Sequence, residues 1–111
     1  MVAFQPHRYS RTRDLLEEIA GAFNACDRLL ISDIYAASEE PIEGIDAERL
    51  VELVRSHGHQ NAEYAGSPEA VAARLESTVS PGELVLTLGA GNIWQSGETL
   101  LARLCERGES A

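Results

Sequence analysis

Not one of the 111 residues is lysine; all nine basic side chains are arginine. That absence excludes a phosphate-binding loop of the G-x-x-x-x-G-K-[ST] type and a Schiff-base lysine, since both need a lysine amine. Cysteine is scarce. Cys26 and Cys105 lack metal-ligand spacing and lie in apolar helical contexts, so both are expected to be buried free thiols in a reducing cytosol. No apolar run approaches the ~18 residues of a membrane span. His7 to Asp14 interrupts any apolar N-terminal segment, which disfavours a signal peptide. Basic charge is also short, with a formal net charge of −9. Duplex nucleic acid and anionic membrane are therefore disfavoured, because each needs a basic face. Hydrophobic residues make up 44%, enough for one packed domain rather than a disordered chain.

Against that background one stretch stands out. Arg8, Arg11 and Arg13 fall within six positions, in Phe4-Gln5-Pro6-His7-Arg8-Tyr9-Ser10-Arg11-Thr12-Arg13. A short apolar run, Val2 to Phe4, precedes it, and an amphipathic run, Asp14 to Phe23, follows. This is the layout of a strand, a cationic loop and a helix. Cations at a helix start oppose the macrodipole, so mere solvation there carries a small cost rather than a gain. Two arginines three apart can instead present forked donors to a carboxylate or phosphate.

The remaining chain alternates. Ser10 or Thr12 can cap a first helix whose apolar face is Leu15, Leu16, Ile19, Ala20 and Phe23. Arg28 to Ile34 reads as a strand buried on both faces. Asp46 can cap a second helix carrying Ala47, Leu50, Val51 and Val54, with Gly58 at its end. Asn61 to Ala65 is a weak strand. Ser67-Pro68 starts a third helix with Val71, Leu75 and Val79 inward. Glu83 to Leu88 is a fourth strand, and Gly89 to Asn92 leads into a helix with Ile93, Leu100, Leu101 and Leu104 buried. Gly108 to Ala111 are expected to fray. The predicted class is α/β: three layers, a mostly parallel sheet with helices on both faces, built from about four β-α units over residues 1–111.

In a parallel sheet the loops after the first, second and fourth strands share one edge, where ligands bind. They carry His7 to Arg13, Asp33 to Glu40 and Gly89 to Asn92. Each has a plainer reading. Gly89-Ala90-Gly91 lacks the third glycine of a dinucleotide fingerprint and can serve close packing alone. His7 can be an ordinary surface histidine. His57 and His59 flank Gly58 and suit a helix dipole better than a metal. Asp33 can be a base, an amine anchor or a turn former. Glu39 and Glu40 read as a solvated face, and Trp94 as packing. No nucleophile–base–orienter set and no metal cluster is visible, so no catalytic residue and no metal ligand is assigned.

Three segments carry a resemblance. Phe4-Gln5-Pro6-His7-Arg8-Tyr9-Ser10-Arg11-Thr12, then Asp33-Ile34-Tyr35-Ala36-Ala37-x-Glu39-Glu40-Pro41-Ile42, then Gly89-Ala90-Gly91-x-Ile93-Trp94 resemble the C-terminal domain of the Mur ligases, in the branch that adds L-alanine to UDP-N-acetylmuramate. The resemblance implies a Rossmann-like fold and a place in bacterial, cytoplasmic peptidoglycan synthesis. It also implies an ATP- and Mg²⁺-dependent amide ligation, in which the amine of L-alanine attacks an acyl phosphate. Arg8 and Arg11 would hold the alanine carboxylate. His7 and Ala90 would border the reacting groups. Asp33, Tyr35, Ala36, Gly89 and Gly91 would shape the pocket. Relatives that add a larger diamino acid carry Asp-Asn-Pro-Arg where this chain has Asp33-Ile34-Tyr35-Ala36, so loss of that arginine and a bulky tyrosine would suit a small side chain.

The family's phosphate loop, Mg²⁺ ligands, UDP-sugar domain and an Asp-Tyr-x-His-His-Pro segment have no counterpart here. A domain truncated on its N-terminal side is therefore expected. ATP, Mg²⁺ and UDP-N-acetylmuramate would be held mainly by absent domains, no cofactor is expected in this piece, and alone it should be inactive. Asn92 stands where many members have aspartate. The competing expectation is a non-catalytic, flavodoxin-like binding or docking module.

Overall fold

The computed structural model describes residues 1–24, 26–59, 61–79, 82–89 and 91–106. The elements are β1 (Val2–Phe4), α1 (Tyr9–Asp14), α2 (Leu16–Ala22), β2 (Leu29–Ser32), α3 (Ala47–Ser56), β3 (Ala62–Gly66), α4 (Pro68–Thr78), β4 (Leu86–Leu88) and α5 (Trp94–Glu106). The strands form one parallel sheet in the order β3-β2-β1-β4. The expected fold class is what the chain adopts.

Alternation along β2 shows why there are three layers. Leu29 and Ile31 face one way, into a cluster with Val2, Ala20 of α2, and Leu50, Val51 and Val54 of α3. Leu30 faces the other way, packing with Ala3, Val71 and Leu75 of α4, and Ile93 and Leu100 beside and on α5. A strand covered on both sides must be apolar at successive positions, which is the pattern read from its sequence. Full burial of each such side chain contributes on the order of 1.5–3 kcal/mol.

Caps set two helix starts as expected. The Asp46 carboxylate accepts from the N–H of Arg49 at 2.7 Å, and Ser67 Oγ accepts from the N–H of Ala70 at 3.2 Å, with Pro68 in the first turn. Each satisfies an N–H that the helix leaves without a partner. Gly58 has φ +108 just past α3, the left-handed position that glycine fills without strain.

Several expectations are corrected. The first helix is broken at Leu15 (φ −109) into α1 and α2. Neither Ser10 nor Thr12 caps it; Arg8 stands at that position with no side-chain cap bond. β4 starts at Leu86 rather than Glu83, because it pairs only with the three residues of β1. Leu86 and Leu88 register with Val2 and Phe4, yet the apolar layer on that face stops at β1, and both leucines are exposed. Leu101 is 64% and Trp94 54% exposed, since α5 turns Leu100, not its neighbour Leu101, toward α4. Cys105 is exposed and Cys26 only half-buried; burial still pushes the Cys26 thiol up. His59 is buried and bonds the loop ends around it, donating from Nε2 to the carbonyl oxygen of Cys26 at 2.8 Å and accepting at Nδ1 from the N–H of Asn61 at 3.2 Å. His57 lies against Glu17 at 3.1 Å. Gly108 to Ala111 lie outside the described residues.

Candidate functional site

The loops after β1, β2 and β4 do meet at the carboxyl edge of the sheet. His7 and Tyr35 form a parallel bridge that continues the β1–β2 pairing past the strand ends. Their rings stack, with centroids 5.7 Å apart and planes at 10°. The N–H of Tyr35 donates to the carbonyl oxygen of Pro6 at 2.8 Å, and the N–H of Arg8 donates to that of Tyr35 at 2.7 Å. The β1 and β2 loops are thus laced together by main-chain bonds, as a sheet is, beyond the sheet.

The third loop is pressed into the same seam. A Cβ on Gly91 would stand 2.4 Å from Cγ of Tyr35 and 2.7 Å from Oε1 of Gln5. A Cβ on Gly89 would meet Cβ and O of Gln5 at 3.0 Å, and Gly89 has φ +157. Glycine here answers close approach between loops. Ala90 lies outside the described residues.

Arg8 adopts φ 65, ψ 144. A residue bearing a Cβ is strained there by about 1–3 kcal/mol, and the neighbours must hold it. They do so at both ends of the residue. Its N–H is bonded to Tyr35, while its carbonyl oxygen accepts from the N–H of Thr12 at 3.1 Å and from Thr12 Oγ1 at 2.7 Å. Thr12 is 1% exposed, so the buried hydroxyl that sequence reading placed as a cap is instead a brace for Arg8. Ser10 has a different task. Its N–H and hydroxyl both donate to the Glu39 carboxylate, at 3.1 and 2.5 Å. Those two bonds, the hydroxyl first, hold Glu39 below the usual carboxylate range. Glu39 is therefore a latch between the β2 loop and α1, not a solvated face.

The guanidinium groups of Arg8 and Arg11 are exposed and line one depression of about 560 Å³ together with His7, Ser10, Asp14 and Leu15. Among the described residues neither has an ion-pair partner, whereas Arg13 pairs with Asp14 at 3.1 Å. An adjoining cavity of about 340 Å³ is lined by Gln5, His7, Arg11 and Gly89, over an apolar floor that includes Phe4 and Ile19. His7 and Arg11 belong to both. Of the residues expected to shape the pocket, Gly89 lines the second cavity, while Asp33, Tyr35, Ala36 and Gly91 line neither. Asp33 is turned toward β3, where its carboxylate accepts a short bond from the Tyr64 hydroxyl. That bond, then burial and the nearby carboxylates, push the Tyr64 phenol up to about 12. Gln5 was missed as a functional residue; its only sequence signal was a polar side chain directly following a buried strand.

An all-parallel three-layer sheet, with two arginines over its carboxyl edge that have no ion-pair partner among the described residues, defines an α/β domain with a cationic rim. Residues 2–91 match the family model described as Mur ligase, glutamate ligase domain, and the chain belongs to that family. It is 55% identical over 106 residues to the UDP-N-acetylmuramate–L-alanine ligase of Geobacter sulfurreducens, covering 96% of this chain and 23% of that protein. The Syntrophobacter fumaroxidans protein of the same name is 52% identical over 110 residues, 99% of this chain and 24% of that one. The one from Solibacter usitatus is 50% identical over 108 residues, 97% and 23% respectively. The chain thus spans about a quarter of the length of the curated relatives it matches.

Proposed function

We propose that this chain is the amino-acid-binding part of a ligase that joins L-alanine to UDP-N-acetylmuramate in cytoplasmic peptidoglycan synthesis. The observation that carries the reading is Arg8. The fold holds a cationic side chain in a backbone conformation that glycine would occupy more easily, beside a second unpaired guanidinium over the same depression. Strain of that kind persists where the side chain is wanted.

The chemistry follows from the geometry. Arg8 and Arg11 take the carboxylate of L-alanine through charge-assisted bonds. The amine is left to face the adjoining cavity near His7 and the glycine loop. The contribution is orientation of a nucleophile, not proton transfer. A small side chain agrees with the sequence Asp33-Ile34-Tyr35-Ala36, which offers no arginine to a longer one. His7, stacked on Tyr35, borders the amine.

The family resemblance implies ATP and Mg²⁺, but the residues here do not fit them. The chain has no lysine. Among the described residues no group of three His, Cys, Asp or Glu side chains could hold a metal ion. No step is therefore assigned to either group on this chain, and ATP-dependent phosphate release by this chain alone is expected to be nil. Among the described residues no helix is long and apolar enough to cross a membrane.

The test is a titration of the ¹⁵N-labelled chain with L-alanine. Saturable shifts at the amides of Arg8, Arg11 and Gly91, abolished in Arg11→Ala, support the reading. Shifts confined elsewhere, or none at any concentration up to solubility, overturn it.

A further inference from the structure

Gln5 follows β1 directly and is 3% exposed. Its Oε1 accepts from the N–H of Asn92 at 3.0 Å and from the N–H of Ile93 at 3.2 Å, and its Nε2 donates to Oδ1 of Asn92 at 2.7 Å. Its own N–H donates to the carbonyl oxygen of Leu88 at 2.9 Å. Both ends of the side-chain amide are thus engaged by the turn that opens α5. The two glycines make room for it, since a Cβ at either would press on Gln5. A glycine turn at a helix start ordinarily offers its N–H groups to an anion. Here two of those groups are already filled from inside the protein.

We propose that Gln5 is a positioning residue. It plugs the start of α5 against anions and ties the glycine loop to the arginine loop, which continues from it as Pro6, His7 and Arg8. A carboxylate arriving at this edge then finds Arg8 and Arg11, and the N–H groups of Asn92 and Ile93 do not compete for it, so the amino acid binds in one orientation. The ligand named here rests on the L-alanine reading above; the plug itself does not.

The experiment uses the 111-residue chain, the near-isosteric Gln5→Met, which has no donor and only a weak thioether acceptor, and Gln5→Glu, which keeps an acceptor. Amide hydrogen exchange, inorganic phosphate and L-alanine are the three probes. In the wild type, phosphate leaves the Asn92 and Ile93 amides unshifted. In Gln5→Met those amides exchange at least about tenfold faster and shift with phosphate, and L-alanine binds about tenfold more weakly, as loss of a buried hydrogen-bonded contact predicts. Gln5→Glu restores slow exchange. Phosphate-induced shifts of Asn92 and Ile93 in the wild type overturn the proposal, as does unchanged exchange in Gln5→Met. If Gln5→Met does not fold, the wild-type phosphate titration and Gln5→Glu exchange decide alone. If the wild type shows no response to L-alanine, the ligase reading fails, while the exchange and phosphate arms still decide the plug.

Discussion

The N–H of Arg8 is bonded at 2.7 Å to the carbonyl oxygen of Tyr35, a residue 27 positions later in the chain. This single bond connects the strained residue of the first loop to the aromatic residue of the second. With Gly91 against the Tyr35 ring, it draws three separate loops into one rim.

Arg8→Gly should raise stability while removing function. Relief of the φ +65 strain contributes about 1–3 kcal/mol, less about 0.4–1 kcal/mol for the freer unfolded chain. A rise in Tm of a few degrees by calorimetry, together with loss of the L-alanine response, is expected. A lower Tm would show that Arg8 is not strained.

Gly91→Ala places a methyl group 2.4 Å from Cγ of Tyr35. Overpacking of this kind costs about 1–3 kcal/mol, seen as a lower denaturant midpoint. The companion Tyr35→Ala removes the nearest obstacle and leaves Oε1 of Gln5 at 2.7 Å, so the double variant should recover part of the loss, at least about 1 kcal/mol relative to additivity. Strict additivity of the two changes would mean that ring and loop do not touch.

Tyr64 provides a signature in alkaline solution. Its folded pKa of about 12 lies above the usual value of 10. A raised pKa means that the stabilisation from the Asp33 bond is complete below pH 10 and is lost as pH climbs from about 10 to 12. Tyrosinate absorbance should show one phenol titrating late, and Asp33→Ala should return it toward the ordinary range. An unchanged titration in that variant rules out Asp33 as the cause.

Glu39 acts at the other end of the scale. Its carboxyl is held low by Ser10, so its contribution is present above the ordinary glutamate value and disappears as pH falls through the folded one. The Tm advantage of the wild type over Glu39→Gln should shrink below about pH 4, under the usual glutamate pKa of about 4.3. Ser10→Ala should shrink it already at neutral pH. A pH-independent difference would assign the effect to something other than this carboxylate.

Much of this was legible in the order of residues. The doubly apolar Leu29 to Ile31, the Asp46 and Ser67-Pro68 starts and the glycine beyond α3 encode their elements locally, because periodicity and capping act within a few positions. The arginine-bearing loop was legible too, since three cations in an acidic chain form a local anomaly. The parallel sheet followed from alternation, and with it the meeting of the three loops.

What only the folded chain decided are relations across long separations. Gln5 and Asn92 are 87 residues apart, and Ser10 and Glu39 are 29 apart; no pattern within a window of ten residues announces either bond. The strain at Arg8 exists because Tyr35 and Thr12 grip it from both sides. The exposure of Leu101 and Trp94 depends on how α5 is rolled against α4. Local sequence determines which residues can make a strand, a helix or a cation-rich turn. Tertiary packing decides which of their polar atoms are consumed inside the protein and which, like the two guanidinium groups, are left at the surface.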